Sequence, residues 1–370
     1  MIYLDYQATT PLCPDAREAM LRWLGGPDSE TFGNPHSPHR MGRMAAAAVE
    51  VAREQVAALC PPGGRVVFTS GATEALNMAL LGTRGDVLTF VTEHAAVLDC
   101  ARAVEAQGRR FTVLPVLPDG RADLAALQAA ITPDVGLLAI MAVNNEIGVV
   151  HPLAETVAIA KTAGIAVLVD AVQAYARLPL TPLSPDYIAV SAHKVHGPKG
   201  IGALWISGDA APLLPLLHGG GQEASLRSGT LSPALCAGFG AAAALAEGEF
   251  ETQMFHVKHL WTIARDLFAD WELNGSAEHR WHGNLNIRPK DESHGLDVAR
   301  LMSDCRSVMF SAGSACASGS GRPSHVLRAI GLTGAQAKSS IRIGFGRYTT
   351  AQEIEAAAAA ILAAAKEQGL

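Results

Sequence analysis

The sequence predicts an α/β protein whose larger part is a mostly parallel, seven-stranded sheet between helices, followed by a small α+β unit. Three observations predict it. Short runs rich in branched apolar residues alternate with alanine-rich helical stretches through the first two thirds of the chain. That alternation stops at an alanine-rich stretch around residues 241–251. The length, 370 residues, exceeds one ordinary domain, at roughly 100–200 residues each. Strands alternating with helices give βαβ units, parallel pairing and coverage of both faces. In such sheets ligands sit beyond the carboxyl ends of the strands, so chemistry is expected in the turns that follow them.

In chain order, strands are expected at 66–69, 87–91, 111–116, 136–141, 166–169, 187–190 and 203–206, with helices between them, among them 45–59 and 74–81. A polar stretch over 251–260, containing His256, Lys258 and His259, marks the expected boundary. Beyond it, strands are expected at 284–287, 308–311 and 341–344. A final helix is expected over 351–370, where alanine supplies propensity rather than bulk. The expected division is a segment 1–14 packing with the small domain, a large domain over 15–250 and a small domain over 251–370.

Composition narrows the function. With 49% hydrophobic and 17% charged residues the chain is not disordered, and a net charge of −6 argues against nucleic acid as a partner. The longest purely apolar run, 356–365, is about half of a membrane span, and MIYLDYQATT lacks the basic and apolar blocks of a signal peptide. A soluble, cytoplasmic protein is expected. Cys13, Cys60, Cys100, Cys236, Cys305 and Cys316 are scattered without a C-x-x-C pair, which points to free thiols rather than a disulfide framework. Histidine pairs at 193/196, 256/259 and 279/282 lack further ligands at metal spacing, so no metal site is expected.

Three segments concentrate the chemistry. In FTSGATEAL a glycine turn at Gly71 opens a helix, which suits either an anion such as phosphate at Ala72 and Thr73 or an ordinary N-cap. AVLVDAVQA puts Asp170 at the end of a buried strand with Gln173 one turn on. VSAHKVHG puts Ser191, His193 and Lys194 at the end of the next. A lysine there snorkels to the surface, or is paired, deprotonated or covalently used. Pyridoxal phosphate requires a phosphate cup, a Schiff-base lysine and a carboxylate on its pyridine nitrogen, and Thr73, Asp170 and Lys194 occur in that order.

These segments closely resemble the cysteine desulfurases of the NifS/IscS type, in the class V branch of fold-type I pyridoxal phosphate enzymes. The resemblance spans nearly the whole chain: YLDYQATTPL, FGNPHSPHR, FTSGATEALNMAL, TEHAAVLD, VNNEIGVVHPL, VDAVQA, SAHKVHGPKGIGALW, GGGQEASLRSGTL, SAGSACASGSGRPSHVLRAIGL and SIRIGFGRYTT. It implies that Lys194 holds the cofactor and that Ala72, Thr73, Ser191 and His193 bind its phosphate, joined by Thr230 from a second subunit of a homodimer. It implies Asp170 on the pyridine nitrogen, Gln173 on the phenolate oxygen and His94 stacked on the ring, assisting proton transfers. Asn145 and Arg342 would hold the substrate carboxylate, a job suited to a guanidinium. Asn34 would help, or serve as a turn residue before Pro35.

Cys316, among small and glycine residues in SAGSACASGSG, lies in a composition that favours a loop able to carry a thiolate to the cofactor and away. The resemblance makes it the persulfide former: L-cysteine would lose its sulfur to Cys316 and leave as L-alanine. The sulfur would pass to an acceptor protein of iron–sulfur cluster assembly or of tRNA thiolation. The rival readings are a class V aminotransferase, a selenocysteine lyase, or a non-catalytic sulfur-assembly or regulatory protein. Two positions depart from the family pattern, His196 and Gln222. The chain also ends soon after the last motif, which leaves the acceptor open.

Overall fold

The computed structural model describes residues 1–290, 295–313 and 323–370. Its strands are β1 Ile2–Tyr3, β2 Arg65–Thr69, β3 Asp86–Phe90, β4 Phe111–Leu114, β5 Val135–Met141, β6 Ala166–Asp170, β7 Tyr187–Ser191, β8 Gly202–Ile206, β9 Trp271–Leu273, β10 Asn284–Pro289, β11 Val308–Met309, β12 Ser311–Ala312 and β13 Ile341–Gly344. β2 to β8 form one seven-stranded sheet in the order β2-β8-β7-β6-β5-β3-β4. Every pair in it is parallel except the two that β8 makes, with β7 and with β2. All seven strands expected from the alternation are therefore present. The central ones are buried along their length, as continuous apolar runs require when helices cover both faces. The expected strand 111–116 stops at Leu114, ahead of Pro115, which has no N–H to donate to a ladder.

β9, β10, β12 and β13 form a four-stranded antiparallel sheet in the order β12-β13-β10-β9. The expected strand 308–311 is two strands: β11 pairs in parallel with β1, whereas β12 pairs with β13, and buried Phe310 lies between them. The polar stretch 251–260, where the boundary is expected, is helical. The helix Phe250–Leu267 follows the helix Pro233–Gly248 with Glu249 between them, and Val257, Leu260 and Ala264 are its buried stripe.

Small residues set how closely the elements approach. The helices Arg40–Ala57 and Pro233–Gly248 touch where Gly240 faces Ala52; a Cβ on Gly240 would stand 2.7 Å from the Ala52 Cα. Gly202 of β8 abuts Gly71, and a Cβ there would lie 2.7 Å from the Gly71 carbonyl carbon. The turn after β2 is thus seated against β8 because position 202 carries no side chain. The N-terminal segment ties the two sheets together. Asp5 bridges to Gly344, then the Thr10 and Cys13 N–H groups donate to the carbonyls of His193 and His196, both at 2.9 Å. Among the described residues no helix is long and apolar enough to cross a membrane.

Candidate active site

The parallel strands deliver their functional residues to one end of the large sheet. Ser70–Thr73 follow β2, His94 follows β3, Asn145 follows β5, Asp170 ends β6, and Ser191, His193 and Lys194 end or follow β7. These side chains, with Gln173, Gln7, Thr9 and Lys199, line one cavity of about 610 Å³. Most of the residues expected at the carboxyl ends of the strands line this cavity.

Lys194 ends a single 3-10 turn, Ala192–Lys194. Its Nζ donates to the backbone carbonyls of Gln7 at 2.6 Å and Ala8 at 2.7 Å. Burial pushes this amine down to about 8 from its ordinary 10.5; Arg177 and Arg342 add to the effect, and Asp5 and Asp170 oppose it. His193 Nδ1 lies 3.1 Å from Thr9 Oγ1, and burial with the nearby Lys194 and Lys199 lowers its ring to about 4. Burial raises the Asp170 carboxyl, while the Val172 N–H at 2.9 Å and the charges of His94 and Lys194 pull the other way.

The helix Ala72–Gly82 opens at Gly71 without any side-chain cap, so its first N–H groups are not taken up as an ordinary N-cap would take them. A Cβ built on Gly71 meets nothing within 4 Å. Glu74, in the first turn, would repel an anion, but it is engaged by Arg227 at 2.7 Å and by the Ser70 N–H at 2.7 Å. Burial opposes its ionisation, yet these partners hold its carboxyl below the usual range. His94 caps the short helix Ala95–Leu98, its Nδ1 accepting from the Ala96 N–H at 3.0 Å. Gln173 donates from Nε2 to the Gln7 carbonyl at 3.0 Å and accepts at Oε1 from Arg177 at 2.5 Å.

Three expected residues lie off the wall. Arg342, on β13, is 1% exposed and donates from Nη2 to Asp5 Oδ1 at 2.7 Å and from Nη1 to the carbonyl of wall residue Asn145 at 3.1 Å. It is tied to the wall through Asn145 and is not itself among the lining residues. Asn34 accepts from the His36 N–H at 2.9 Å, the turn role open to it from the start. Thr230 is exposed and does not line the cavity. Cys316 lies outside the described residues, whereas the other five cysteines are all free and buried, burial pushing Cys60 and Cys236 up to about 12. Among the described residues no cluster of three or more histidine, cysteine or acidic side chains is placed to hold a metal.

Sequence reasoning assigned no role to Gln7, Ala8, Glu93 or Arg177. Gln7 and Ala8 sit within the quoted YLDYQATTPL motif, which was the available signal, but they act through carbonyls that side-chain chemistry does not reveal. Glu93 precedes His94 and is fully buried. Its Oε1 accepts from the Met141 N–H at 2.8 Å, its Oε2 has no hydrogen-bond partner, and burial raises its carboxyl well above the usual range, which favours the protonated form.

The cavity fits pyridoxal phosphate. It offers an amine with carbonyl partners only, a buried carboxylate for a pyridine nitrogen, an amide donor, and an uncapped helix N-terminus beside His193 for a phosphate.

The chain is similar to known proteins over nearly its whole length. The Aminotransferase class-V family model matches residues 2–357. Cysteine desulfurase IscS of Rickettsia bellii is 41% identical, covering 96% of this chain and 88% of that protein. The mitochondrial cysteine desulfurase of Saccharomyces cerevisiae is 42% identical over 96% of this chain and 73% of its own. Among solved structures, a NifS-like protein superposes with a TM-score of 0.88 at 30% identity, covering 97% and 98% of the two chains. SspA in complex with cysteine superposes with a TM-score of 0.82 at 32% identity, covering 95% and 100%.

Proposed function

The chain belongs to the class-V aminotransferase family and is a pyridoxal phosphate-dependent cysteine desulfurase, and from that premise we propose that Lys194, His94 and Cys316 carry its chemistry. The carrying observation is the single cavity in which Lys194, Asp170, Gln173, His94 and the helix N-terminus at Ala72 converge. When bound, the cofactor supplies an electron sink for charge developing at the α-carbon of L-cysteine. Lys194 would hold it covalently. Ala72, Thr73, Ser191 and His193 would receive its phosphate, Asp170 its pyridine nitrogen and Gln173 its phenolate oxygen, and His94 would lie against its ring.

The amine of Lys194, once released, is a base for the α-proton of the substrate, because an amine lowered to about 8 keeps roughly a tenth of its population unprotonated at neutral pH, far more than an ordinary lysine. His94 assists that transfer. Arg342 and Asn145 orient the substrate carboxylate. The Cys316 thiolate attacks the substrate sulfur, forming an S–S bond as the C–S bond breaks. The carbon keeps that electron pair and takes up a proton, so L-alanine leaves and a persulfide stays on Cys316. Use of L-cysteine is supported by the likeness to SspA in complex with cysteine.

The finer assignments follow from the same reading. The chain works in the cytoplasm and hands its sulfur to an iron–sulfur scaffold or a tRNA-thiolation protein. It divides into a large domain over 15–250 and a small one over 251–370, with 1–14 packing on the latter, an arrangement supported by the pairing of β1 with β11. It forms a homodimer in which Thr230 reaches the neighbouring phosphate, supported by the exposure of Thr230 and of Leu214, Leu216 and Leu217 in the same connection.

The deciding experiment incubates the protein with L-cysteine and a reductant and measures alanine and sulfide. Cys316→Ser is expected to keep the yellow cofactor and bind cysteine yet release no sulfide; full retained activity would remove Cys316 from the mechanism. A keto acid in place of alanine would point to transamination instead.

A further inference from the structure

Behind the cavity lies a charge that the reaction does not use. Arg177 follows Ala176, whose φ of +59° turns the chain in the left-handed region, and the residue is 5% exposed. No ion pair is recorded for it among the described residues. Its Nη2 donates to the Lys194 carbonyl at 2.6 Å, its Nη1 to the Gln173 carbonyl at 3.2 Å and to Gln173 Oε1 at 2.5 Å, and it lies 5.6 Å from the centre of the Trp281 ring. Burying a cation without a carboxylate is costly. Burial lowers Arg177 to about 10, which still leaves it charged at neutral pH.

Those contacts close a ring. With Gln173 Oε1 taken by Arg177, the amide presents Nε2 to the Gln7 carbonyl and to the cavity; the same Gln7 carbonyl accepts from Lys194 Nζ. We propose that Arg177 is a positioning residue: it fixes the Gln173 amide with its donor end toward the cofactor, and its charge, held against the Lys194 carbonyl, disfavours the ammonium form of the Lys194 side chain. The inference rests on the reading of Lys194 as the cofactor lysine.

The other charges around Lys194 do not supply this effect alone. Asp5 from the N-terminal segment and Asp170 from β6 favour the ammonium, Arg342 from β13 opposes it, and His193 on the same turn is neutral because burial lowers its ring. Lys199 and His94 also line the cavity. Arg177 follows only burial among the influences that depress Lys194.

The test uses the full-length protein freed of cofactor. Lys194 is labelled with trace acetic anhydride across a pH series and quantified by peptide mapping. The wild-type midpoint is expected at about 8. Arg177→Met is expected to raise it toward 10.5, with a roughly tenfold slower labelling at pH 7 for each pH unit gained. Arg177→Lys keeps the charge but not the forked grip. Its midpoint should stay near wild type while the absorption band of the reloaded cofactor, which reports the Gln173 contact, is displaced. A folded Arg177→Met variant with an unchanged midpoint overturns the electrostatic half. If that variant does not fold, Arg177→Lys decides alone: a raised midpoint overturns the electrostatic half, and an undisplaced band overturns the orienting half. Borohydride reduction of loaded wild-type protein separates the premise from the inference. A label on Lys194 leaves the premise standing; a label on another lysine sinks it whatever Arg177 does.

Discussion

The pairing of Arg342 with Asp5 yields a prediction whose size follows from the geometry. Arg342 is 1% exposed; of its partners only Asp5 is charged, at 2.7 Å, the others being Ser311 Oγ at 3.2 Å and the Asn145 carbonyl at 3.1 Å. Its Nε is buried without a partner. Removing one member of a buried pair costs about 3–5 kcal/mol, because the remaining charge is left uncompensated. Asp5→Asn keeps an acceptor oxygen and loses only the charge, which places the cost near 3 kcal/mol. Unfolding entropy of about 2.1 cal/mol/K per residue, over 370 residues, converts this to a fall of roughly 4 °C in melting temperature. Calorimetry of the cofactor-loaded protein checks it. If Arg342 receives the substrate carboxylate, saturating L-alanine supplies the missing counter-ion, so it should raise the melting temperature more in Asp5→Asn than in wild type. A variant melting within about 1 °C of wild type would refute the reasoning about the pair. Equal increments from L-alanine would remove Arg342 from the substrate site.

Two further perturbations test buried titrating groups. His151 accepts the Ala122 N–H at Nδ1, its Nε2 is unpartnered, and burial lowers it to about 4 from 6.5. The unfolded chain therefore binds more protons between those values, and about 3 kcal/mol of stability present above pH 6.5 is lost as pH falls through 4. Urea unfolding at pH 7 and pH 4.5 should show a smaller drop in His151→Asn, which retains an acceptor without titrating. Glu93 is the opposite case: a raised carboxyl contributes stability below its unfolded value of 4.5 that is lost as pH rises through the folded one. Gln does not titrate, so Glu93→Gln should match wild type within about 1 kcal/mol near pH 4 and exceed it in stability at neutral pH. A loss of several kcal/mol in denaturant titration would mean that the acid is ionised.

What was legible in the sequence depended on whether a signal was local. The central strands were readable because burial on both faces writes each as a continuous apolar run. β1 and β9, two and three residues long, exist through pairing with distant strands and carry no comparable run. The helix Phe250–Leu267 was obscured differently: its buried stripe is only Val257, Leu260 and Ala264, set among polar residues, so its composition read as a boundary while its spacing was helical. In the site, Asp170 and Lys194 stood out because a polar side chain just after an apolar run is conspicuous, whereas His94 was marked only by its TEHAAV motif. The Asp5 partner of Arg342 was not, since 337 positions separate them.

Gln7 shows why the missed residues bear on function. Its side-chain Nε2 donates to the Gly283 carbonyl at 2.8 Å, beside the small sheet, while its own carbonyl accepts from Lys194 and from Gln173. It fits there because Gly344 of β13 has no side chain; a Cβ at that position would stand 1.7 Å from Gln7 Oε1. The amine at the centre of the cavity is therefore located by a backbone carbonyl whose place is fixed by the small sheet. The hydrogen bonds of Lys194 are thus linked to β13 through Gln7. The antiparallel unit that also carries Arg342 thus helps define the site at the carboxyl edge of the large sheet, and the coupling runs through one N-terminal residue.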